Sequence, residues 1–212
     1  GGMGAVYLAH DEQLDRQVAL KIPTAKVAGS PKLLERLHRE ARSAAVLSHA
    51  NICQVFDVGE IDGYHFISMA FVDGRPLSDF IRPGKRLPER QAVSLVRRVS
   101  LALAHAHENG VIHRDLKPSN IMVNAAREPI VMDFGLARQF DKDADSRLTQ
   151  QGGVLGSPAY MSPEQVDGDI DRIGPASDIY SLGVVLYELL TARLPFEGSM
   201  AAIMGQILTS EP

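Results

Sequence analysis

Cysteine is almost absent from this chain of 212 residues, which carries a single one, Cys53. No disulfide framework can form within the chain, and a reducing compartment is the simpler expectation. No apolar run approaches the ~18 residues that a membrane-spanning helix requires, and no segment has the pattern of a signal peptide. Basic charge is not in excess either, because the net charge is −4, so nucleic acid is not the expected main partner.

What the chain does have is the composition of a folded protein. Apolar residues make up 45% of the sequence, which is enough for a substantial core. The length fits one domain, or two lobes that share a cleft. Cys53 lies in the apolar run NICQVF and is expected to pack in the core. No internal repeat or low-complexity segment stands out.

The first ~70 residues predict an antiparallel sheet with one helix. The alternating segments are AVYLAHD, QVALKIP and NICQVFDVGEIDGYHFISMAFV, and the helical one is SPKLLERLHREARSAAVLS. Ser30 is in position to cap this helix. The last alternating segment predicts a hairpin that turns at Asp62-Gly63.

The remainder predicts three helices, PERQAVSLVRRVSLALAHAHENG, SDIYSLGVVLYELLTARLP and SMAAIMGQILT. Gly110 stands at the C-cap position of the first helix, and the second is expected to be capped by Ser177 and stopped by Pro195. Between these two helices, residues 133–175 are rich in Gly, Pro, Asp and Ser and predict an irregular segment, which at that length is often functional. In the first helix, His105 and His107 are two residues apart and are not expected to share a metal.

The segment GGMGAVYLA places Gly1, Gly2 and Gly4 directly before a predicted strand. Without side chains, their backbone N–H groups could approach a phosphate closely. A tight hairpin turn accounts for the glycines equally well. No helix follows, so the segment is neither a Walker A loop nor a Rossmann fingerprint.

Lys21 and Glu40 form a candidate ion pair. Lys21 ends the strand-like run VALK, where a lysine more often points to solvent. Glu40, however, shares a helical stripe with Leu37 and Ala44, which should face protein. A carboxylate turned inward needs a cationic partner, and Lys21 is the candidate.

The segment GVIHRDLKPSN, from Gly110 to Asn120, crowds charges of both signs after an apolar patch. Asp115 and Asn120 on this loop, together with Asp133 at the end of a strand-like run, supply the oxygen ligands that Mg²⁺ takes. Lys117 adds a cation suited to a phosphoryl oxygen. Each of these residues alone could be a turn residue or a cap, but together they indicate a site for phosphate and metal.

In order along the chain, the segments GGMGAV, VALK, HREA, HRDLKPSN, DFG, SPE and SDIYSLG resemble those of a protein kinase, specifically a bacterial serine/threonine kinase of the eukaryotic-like type. The resemblance implies an α+β, two-lobed fold. Residues 1–69 would form an N-lobe of antiparallel sheet and one helix, and residues 70–212 the hinge and a larger, mainly helical C-lobe. Against the family's pattern, the chain is expected to be truncated at both ends.

The resemblance implies roles in transferring the γ-phosphoryl group of ATP. Asp115 would orient the acceptor hydroxyl and accept its proton, and Lys117 would steady the γ-phosphate. Lys21 would contact the α- and β-phosphates and pair with Glu40. The Mg²⁺ ligands would be Asn120 and Asp133.

The resemblance also implies an ATP pocket and its supports. Gly1, Gly2 and Gly4 would cover the phosphates. Met69 would lie at the back of the adenine pocket, and Ala70 to Val72 would form the hinge. Val6, Ala19 and Met122 would pack against the two faces of the adenine ring. Supporting residues would be His113 and Phe134 in an internal apolar spine and Asp178 bracing the catalytic loop. Glu164 of SPE is expected to lack its usual arginine partner.

Regulation is implied by Arg114, which could pair with a phosphorylated loop residue. Thr149 is the first candidate and Ser146 the second, although both could be ordinary loop residues. Protein substrates are the expected partners, with a homodimer for trans-autophosphorylation. The kinase domain is expected in the cytoplasm, and the full-length protein could be membrane-anchored.

Two alternatives stay open. Small-molecule phosphotransferases share a His-x-Asp loop but generally lack the arginine, this lysine and an SPE segment. A pseudokinase acting only as a binding module would typically lose Lys21, Asp115 or Asp133, and all three are present here.

Overall fold

The computed structural model describes residues 4–82, 84–134 and 158–211. The strands are β1 Gly4–Asp11, β2 Arg16–Pro23, β3 Val55–Ile61, β4 Tyr64–Ala70, β5 Gly74–Pro76, β6 Ile121–Asn124 and β7 Pro129–Val131. The helices are α1 Ala25–Ala28, α2 Pro31–Ala45, α3 Glu89–Glu108, α4 Pro163–Val166, α5 Pro175–Thr191 and α6 Met200–Thr209. Single 3₁₀ turns cover Leu77–Phe80, Pro118–Asn120, Pro158–Tyr160 and Ile170–Arg172.

The first sheet is four-stranded and antiparallel, in the order β1-β2-β4-β3. The predicted hairpin between β3 and β4 is confirmed. Its two turn residues, Asp62 and Gly63, have φ values of 52° and 81°, as a two-residue turn that follows the twist of the strands requires.

Helix α2 packs its apolar stripe against this sheet. It begins at Pro31, and the Ser30 hydroxyl accepts a hydrogen bond from the Leu33 N–H at 3.5 Å, as the predicted cap requires. Ala41 and Ala44 are buried on its inner side. The helix is therefore held by burial of its inner face and by a satisfied first turn.

Helices α3 and α5 pack together in the second half of the chain. The buried side chains of α3 are Ala92, Val99, Ala102, Leu103 and Ala106. Small alanines in this stripe let the neighbouring helix approach closely. Gly110 follows the end of α3 with φ 72°, the left-handed conformation expected of a C-cap glycine.

The predicted bounds of α5 were wrong at both ends. The helix starts at Pro175 because proline suits the first helical position. Ser177 is the third residue, and its hydroxyl accepts a hydrogen bond from the Gly174 N–H at 3.2 Å. The helix ends at Thr191, before Pro195, because the residue after it adopts a left-handed conformation with φ 56°.

A second sheet has the strand order β5-β6-β7. Its strand β7 forms backbone hydrogen bonds with residues before β3. Ile52 forms a parallel bridge with Val131. The Val131 carbonyl accepts from the Cys53 N–H, and the Val131 N–H donates to the Asn51 carbonyl, both at 2.9 Å. Strand β7, which leads into Asp133, is thereby fixed to the loop before β3.

One hydrophobic core runs through both parts of the chain and includes buried residues of β2, β4, α2, α3 and α5. Cys53 belongs to it, as predicted, and burial together with the nearby Asp133 charge raises the thiol pKa to about 12. The division at residues 69 and 70 stays a prediction. No helix in the described parts of the chain has the length and apolarity needed to cross a bilayer.

Candidate active site

Three of the predicted site residues meet on the loop after α3. The Lys117 Nζ lies 2.6 Å from Asp115 Oδ2. The Asn120 amide nitrogen donates to the Asp115 carbonyl at 2.8 Å and to its Oδ2 at 3.1 Å. Two donors thus fix the Asp115 carboxylate in one orientation, as a group that accepts a proton from a bound hydroxyl requires.

Asp178, on α5, anchors this loop through hydrogen bonds to its backbone. Its Oδ2 accepts from the His113 N–H at 2.9 Å, and its Oδ1 accepts from the Arg114 N–H at 2.8 Å. The His107 Nε2 lies 2.7 Å from Oδ2. The residue is 0% exposed, and a carboxylate so buried is tolerated only with such a full set of partners. His107 was considered from the sequence only as a metal ligand, and its contact with Asp178 was not foreseen.

His113 links the loop to the residues that follow β7. It is fully buried, and its ring packs edge-on against Phe134 with centroids 4.9 Å apart. Its Nδ1 accepts from the Asp115 N–H at 3.2 Å, while its Nε2 lies 2.9 Å from the Met132 carbonyl. A backbone N–H can only donate, so in the neutral ring the proton belongs on Nε2, which donates to Met132.

Lys21 and Asp133 form a partly buried ion pair at the site. Lys21, on β2, is 8% exposed, and its Nζ lies 2.7 Å from Asp133 Oδ1. Asp133 has φ 57°, a left-handed conformation that is uncommon outside glycine. Glu40 lies partly buried on α2, and its predicted pairing with Lys21 stays a prediction.

Asn120 and Asp133 are brought close by the backbone, because the Met132 N–H donates to the Asn120 carbonyl at 2.9 Å. The Asn120 amide nitrogen is directed at Asp115, which leaves its amide oxygen for another partner. An amide oxygen and a carboxylate form a donor set that suits Mg²⁺ completed by waters and phosphates. No cluster of three or more His, Cys, Asp or Glu side chains suited to a metal occurs in the ranges that the structure describes.

The candidate adenine pocket residues lie on adjoining strands. In the sheet register Val6 opposes Lys21, and Ala19 opposes both Leu8 and Met69. Because residues two apart on a strand share a face, these side chains lie on one side of the sheet with Lys21. Val6 is 61% exposed on that side, whereas Ala19 and Met69 are buried.

The other candidate pocket residues lie around this sheet face. Met122, on β6, opposes Pro76, and Ala70 and Val72 pack against the main core at the end of β4. Their contribution to a nucleotide site stays a prediction.

Gly4 has a structural reason to be glycine. A Cβ at this position would lie 2.0 Å from the carbonyl oxygen of Ile22 on the neighbouring strand. Its predicted phosphate-covering role remains untested. Gly1, Gly2, Ser146 and Thr149 lie outside the described residues.

That Glu164 lacks its usual arginine partner stays a prediction, but this carboxylate is hydrogen-bonded in the structure. Its Oε1 accepts a short hydrogen bond from the Ser177 hydroxyl. Burial raises the pKa of Glu164, but the Ser177 hydrogen bond and the nearby Arg172 charge bring it below its usual value. The early start of α5 makes this contact possible, because it turns Ser177 toward α4.

Residues 1–211 match the family model described as the protein kinase domain. The chain belongs to the protein kinase domain family. Its α+β, two-lobed architecture and its resemblance to the bacterial eukaryotic-like kinases are thereby confirmed.

Several bacterial kinases are similar to this kinase domain over nearly its whole length. Serine/threonine-protein kinase PrkC of Bacillus subtilis is 42% identical over 95% of this chain and 30% of its own length. Serine/threonine-protein kinase PknB of Mycobacterium leprae is 43% identical over 100% of this chain and 34% of its own length. A probable serine/threonine-protein kinase of Streptomyces coelicolor is 42% identical over 100% of this chain. The chain spans about a third of the length of the curated relatives it matches.

Proposed function

We propose that this kinase domain transfers the γ-phosphoryl group of ATP to serine and threonine hydroxyls of proteins. The observation that carries the proposal is the hydrogen-bonded cluster of Asp115, Lys117 and Asn120. The loop that bears this cluster is anchored by buried Asp178. The names of the similar PrkC and PknB proteins support serine and threonine as the acceptors.

Asp115 is the group that would contact the acceptor. Its carboxylate would hydrogen-bond the hydroxyl, orient the oxygen toward the phosphorus and accept its proton. Lys117, 2.6 Å from the same carboxylate, would stabilise negative charge on the transferred group. Most of the rate gain would come from this positioning and from charge neutralisation.

Lys21 and Asp133 would act on the phosphate chain. Lys21 would contact the α- and β-phosphates and pair with Glu40, which requires it to share or leave its present contact with Asp133. Asn120 and Asp133 would hold Mg²⁺, which neutralises phosphate charge when bound. This would leave the cation, not Lys21, as the main partner of the Asp133 carboxylate.

The nucleotide would lie against the sheet face that carries Lys21. Val6 and Ala19 would pack above the adenine and Met122 below it, with Met69 behind. The backbone of Ala70 to Val72 would bond the adenine edge. An exposed Val6 on this face is consistent with an apolar side chain that a ligand covers.

Regulation would involve Arg114. Its Nε is buried and has no hydrogen-bond partner among the residues that the structure describes. A phosphate on Thr149, or on Ser146, would supply one. We also propose cytoplasmic placement of the domain, within a longer protein that could be membrane-anchored, and autophosphorylation in trans through a homodimer.

The test is transfer of labelled phosphate from [γ-³²P]ATP to a protein acceptor in the presence of Mg²⁺. We expect Asp115→Asn to remove transfer while ATP binding is retained, because the variant keeps the shape of the side chain but cannot accept the proton. Asp62→Asn, in a hairpin turn far along the chain from the loop, is the matched control and should transfer as wild type does. Equal transfer by Asp115→Asn and wild type would refute the proposal.

A further inference from the structure

Gln165 is a buried amide whose oxygen and nitrogen both have hydrogen-bond partners. It lies on α4 and is 5% exposed. Its Nε2 donates to the carbonyl of Arg114 at 2.7 Å. Its Oε1 accepts from the Ser162 N–H at 3.0 Å and lies 3.3 Å from the Ser162 hydroxyl. Gln165 therefore joins the SPE segment to the loop that carries Asp115.

Gln165 hydrogen-bonds the peptide group between Arg114 and Asp115. Arg114 has φ 67°, a conformation that a residue with a side chain keeps only when its surroundings impose it. On one side, the Arg114 N–H donates to Asp178 at 2.8 Å. On the other side, the Arg114 carbonyl accepts from Gln165, and the N–H in the same peptide plane belongs to Asp115. A rotation of this plane would therefore move the Asp115 backbone.

We propose that Gln165 is a positioning residue for phosphoryl transfer. By holding the Arg114 carbonyl, it fixes the orientation of Asp115 and couples that orientation to the SPE segment. This inference rests on the proposed function, because it assigns to Asp115 the contact with the acceptor hydroxyl. No motif in the sequence points to Gln165, and only the contact across 51 residues identifies it.

The contacts require an amide at this position. The Arg114 carbonyl can only accept, so the atom facing it must be a donor, and the Ser162 N–H can only donate, so the atom facing it must be an acceptor. Glutamine meets both needs on one side chain. An ionised glutamate would place an oxygen against the Arg114 carbonyl, whereas a protonated glutamate could donate to it.

This difference makes the inference testable by pH. In Gln165→Glu we expect kcat for phosphorylation of a serine peptide to fall about tenfold at neutral pH, the size expected for one lost hydrogen bond beside the reacting group. As the pH is lowered, the ratio of variant to wild-type kcat should rise, because burial raises the pKa of the introduced carboxyl and its protonated form restores the donor. KM for ATP should stay unchanged, since the proposed ATP contacts lie elsewhere.

Two further variants isolate the effect. Gln165→Met keeps the length of the side chain but has no donor, so its kcat should fall at every pH. Gln206→Glu is the matched control, because the Gln206 amide also donates to a backbone carbonyl, that of Glu197 at 3.3 Å, but on α6. Its kcat ratio to wild type should be near one and flat with pH.

Rates are expressed per folded molecule, counted by ATP binding, so that a loss of fold is not read as a loss of positioning. A flat ratio of Gln165→Glu to wild type across pH, or a kcat of Gln165→Met equal to that of wild type, would overturn the inference. If Gln165→Glu does not fold, the kcat of Gln165→Met decides whether the inference stands. A wild-type chain that binds ATP but transfers no phosphate would refute the proposed function instead, which is a distinguishable result.

Discussion

Asp178 and Arg114, separated by 64 residues in sequence, are joined by a 2.8 Å hydrogen bond from the Arg114 N–H to Asp178 Oδ1. The bond ties a helix in the centre of the core to the residue directly before Asp115. The conformation of the candidate catalytic loop is therefore set by the core, and substrate is not needed to create it.

Replacing Asp178 tests this arrangement. Asp178→Asn keeps the shape but turns an NH₂ group toward one of the two loop N–H groups, so one hydrogen bond is lost and a donor faces a donor. We expect a loss of about 2–4 kcal/mol in the free energy of unfolding, as for hydrogen bonds to a buried charge. Urea denaturation measures it. Asp171→Asn, at an exposed position, is the control, and a stability loss no larger than that control's would contradict the account.

Lys21→Met should lower the rate of ATP-dependent phosphorylation by about 10²–10³-fold, the usual cost of removing one charge-stabilising group from a phosphoryl-transfer site. The protein should remain folded, because the methionine can occupy the same largely buried space. Steady-state kinetics with a serine peptide measure the effect. Lys85→Met removes an exposed lysine and should leave the rate unchanged. A similar rate for both variants would show that Lys21 has no role in transfer.

The contact between Tyr160 and Glu188 should make the stability of the fold depend on pH. The Tyr160 hydroxyl donates to Glu188 Oε2 at 2.6 Å. Burial raises the pKa of Glu188, and the Tyr160 hydrogen bond limits that rise. A carboxyl with a raised native pKa favours the fold when protonated, so this stability is present at low pH and is lost as the pH rises through the native pKa. Tyr160→Phe removes the donor and should raise the pKa of Glu188 further.

The stability lost in Tyr160→Phe should therefore be larger at about pH 8 than at about pH 4, and about 1 kcal/mol or more at the higher pH, because the ionised form of a carboxyl gains most from a donor. Thermal unfolding at the two pH values measures the difference. Tyr187→Phe, on the same helix and 38% exposed, should show little dependence on pH. A loss in Tyr160→Phe that is larger at the lower pH would reverse the predicted sign.

We expect a side chain at Gly4 to lower the free energy of unfolding for a steric reason that is separate from phosphate binding. In Gly4→Ala the added Cβ would meet the Ile22 carbonyl at 2.0 Å, so β1 must shift, at a cost of about 1–3 kcal/mol in unfolding free energy. In Gly205→Ala nothing lies within 4 Å of the added Cβ, and a helical alanine should stabilise by up to about 1 kcal/mol. Denaturation curves compare the two. An unchanged midpoint for Gly4→Ala would show that the strand accommodates the methyl group.

The sequence predicted elements whose cause is local. Strands β1 and β2, the Asp62-Gly63 turn and the Ser30 cap are each set by neighbouring residues, and all are present in the structure. Strands β5 and β6 were missed because segments of three and four residues hold too little alternation to recognise. The N-cap of α5 was misplaced by three residues, at Ser177 instead of Gly174, because Ser177 has the chemistry of a cap wherever it stands in the first turn.

The contacts of the candidate site are also of two kinds: those within one loop, which the sequence predicted, and those between distant parts of the chain, which it did not. Asp115, Lys117 and Asn120 lie within six residues of one another, so their clustering was predictable from the loop alone. The contacts of Asp178 with His107 and of Gln165 with Arg114 join distant parts of the chain. No local pattern encodes such pairs, and they became visible only when packing placed the elements together. The Lys21–Asp133 pair is of the same kind.

Phosphopeptide mass spectrometry of the chain after incubation with ATP and Mg²⁺ tests the central claim most directly. We predict phosphate on hydroxyl residues, with Thr149 first and Ser146 second, in wild type and in Asp62→Asn but not in Asp115→Asn. That result would establish serine/threonine phosphoryl transfer that depends on the loop anchored by Asp178. Phosphate in none of the three proteins, with ATP binding intact and a serine peptide also unmodified, would contradict the claim and favour a binding module.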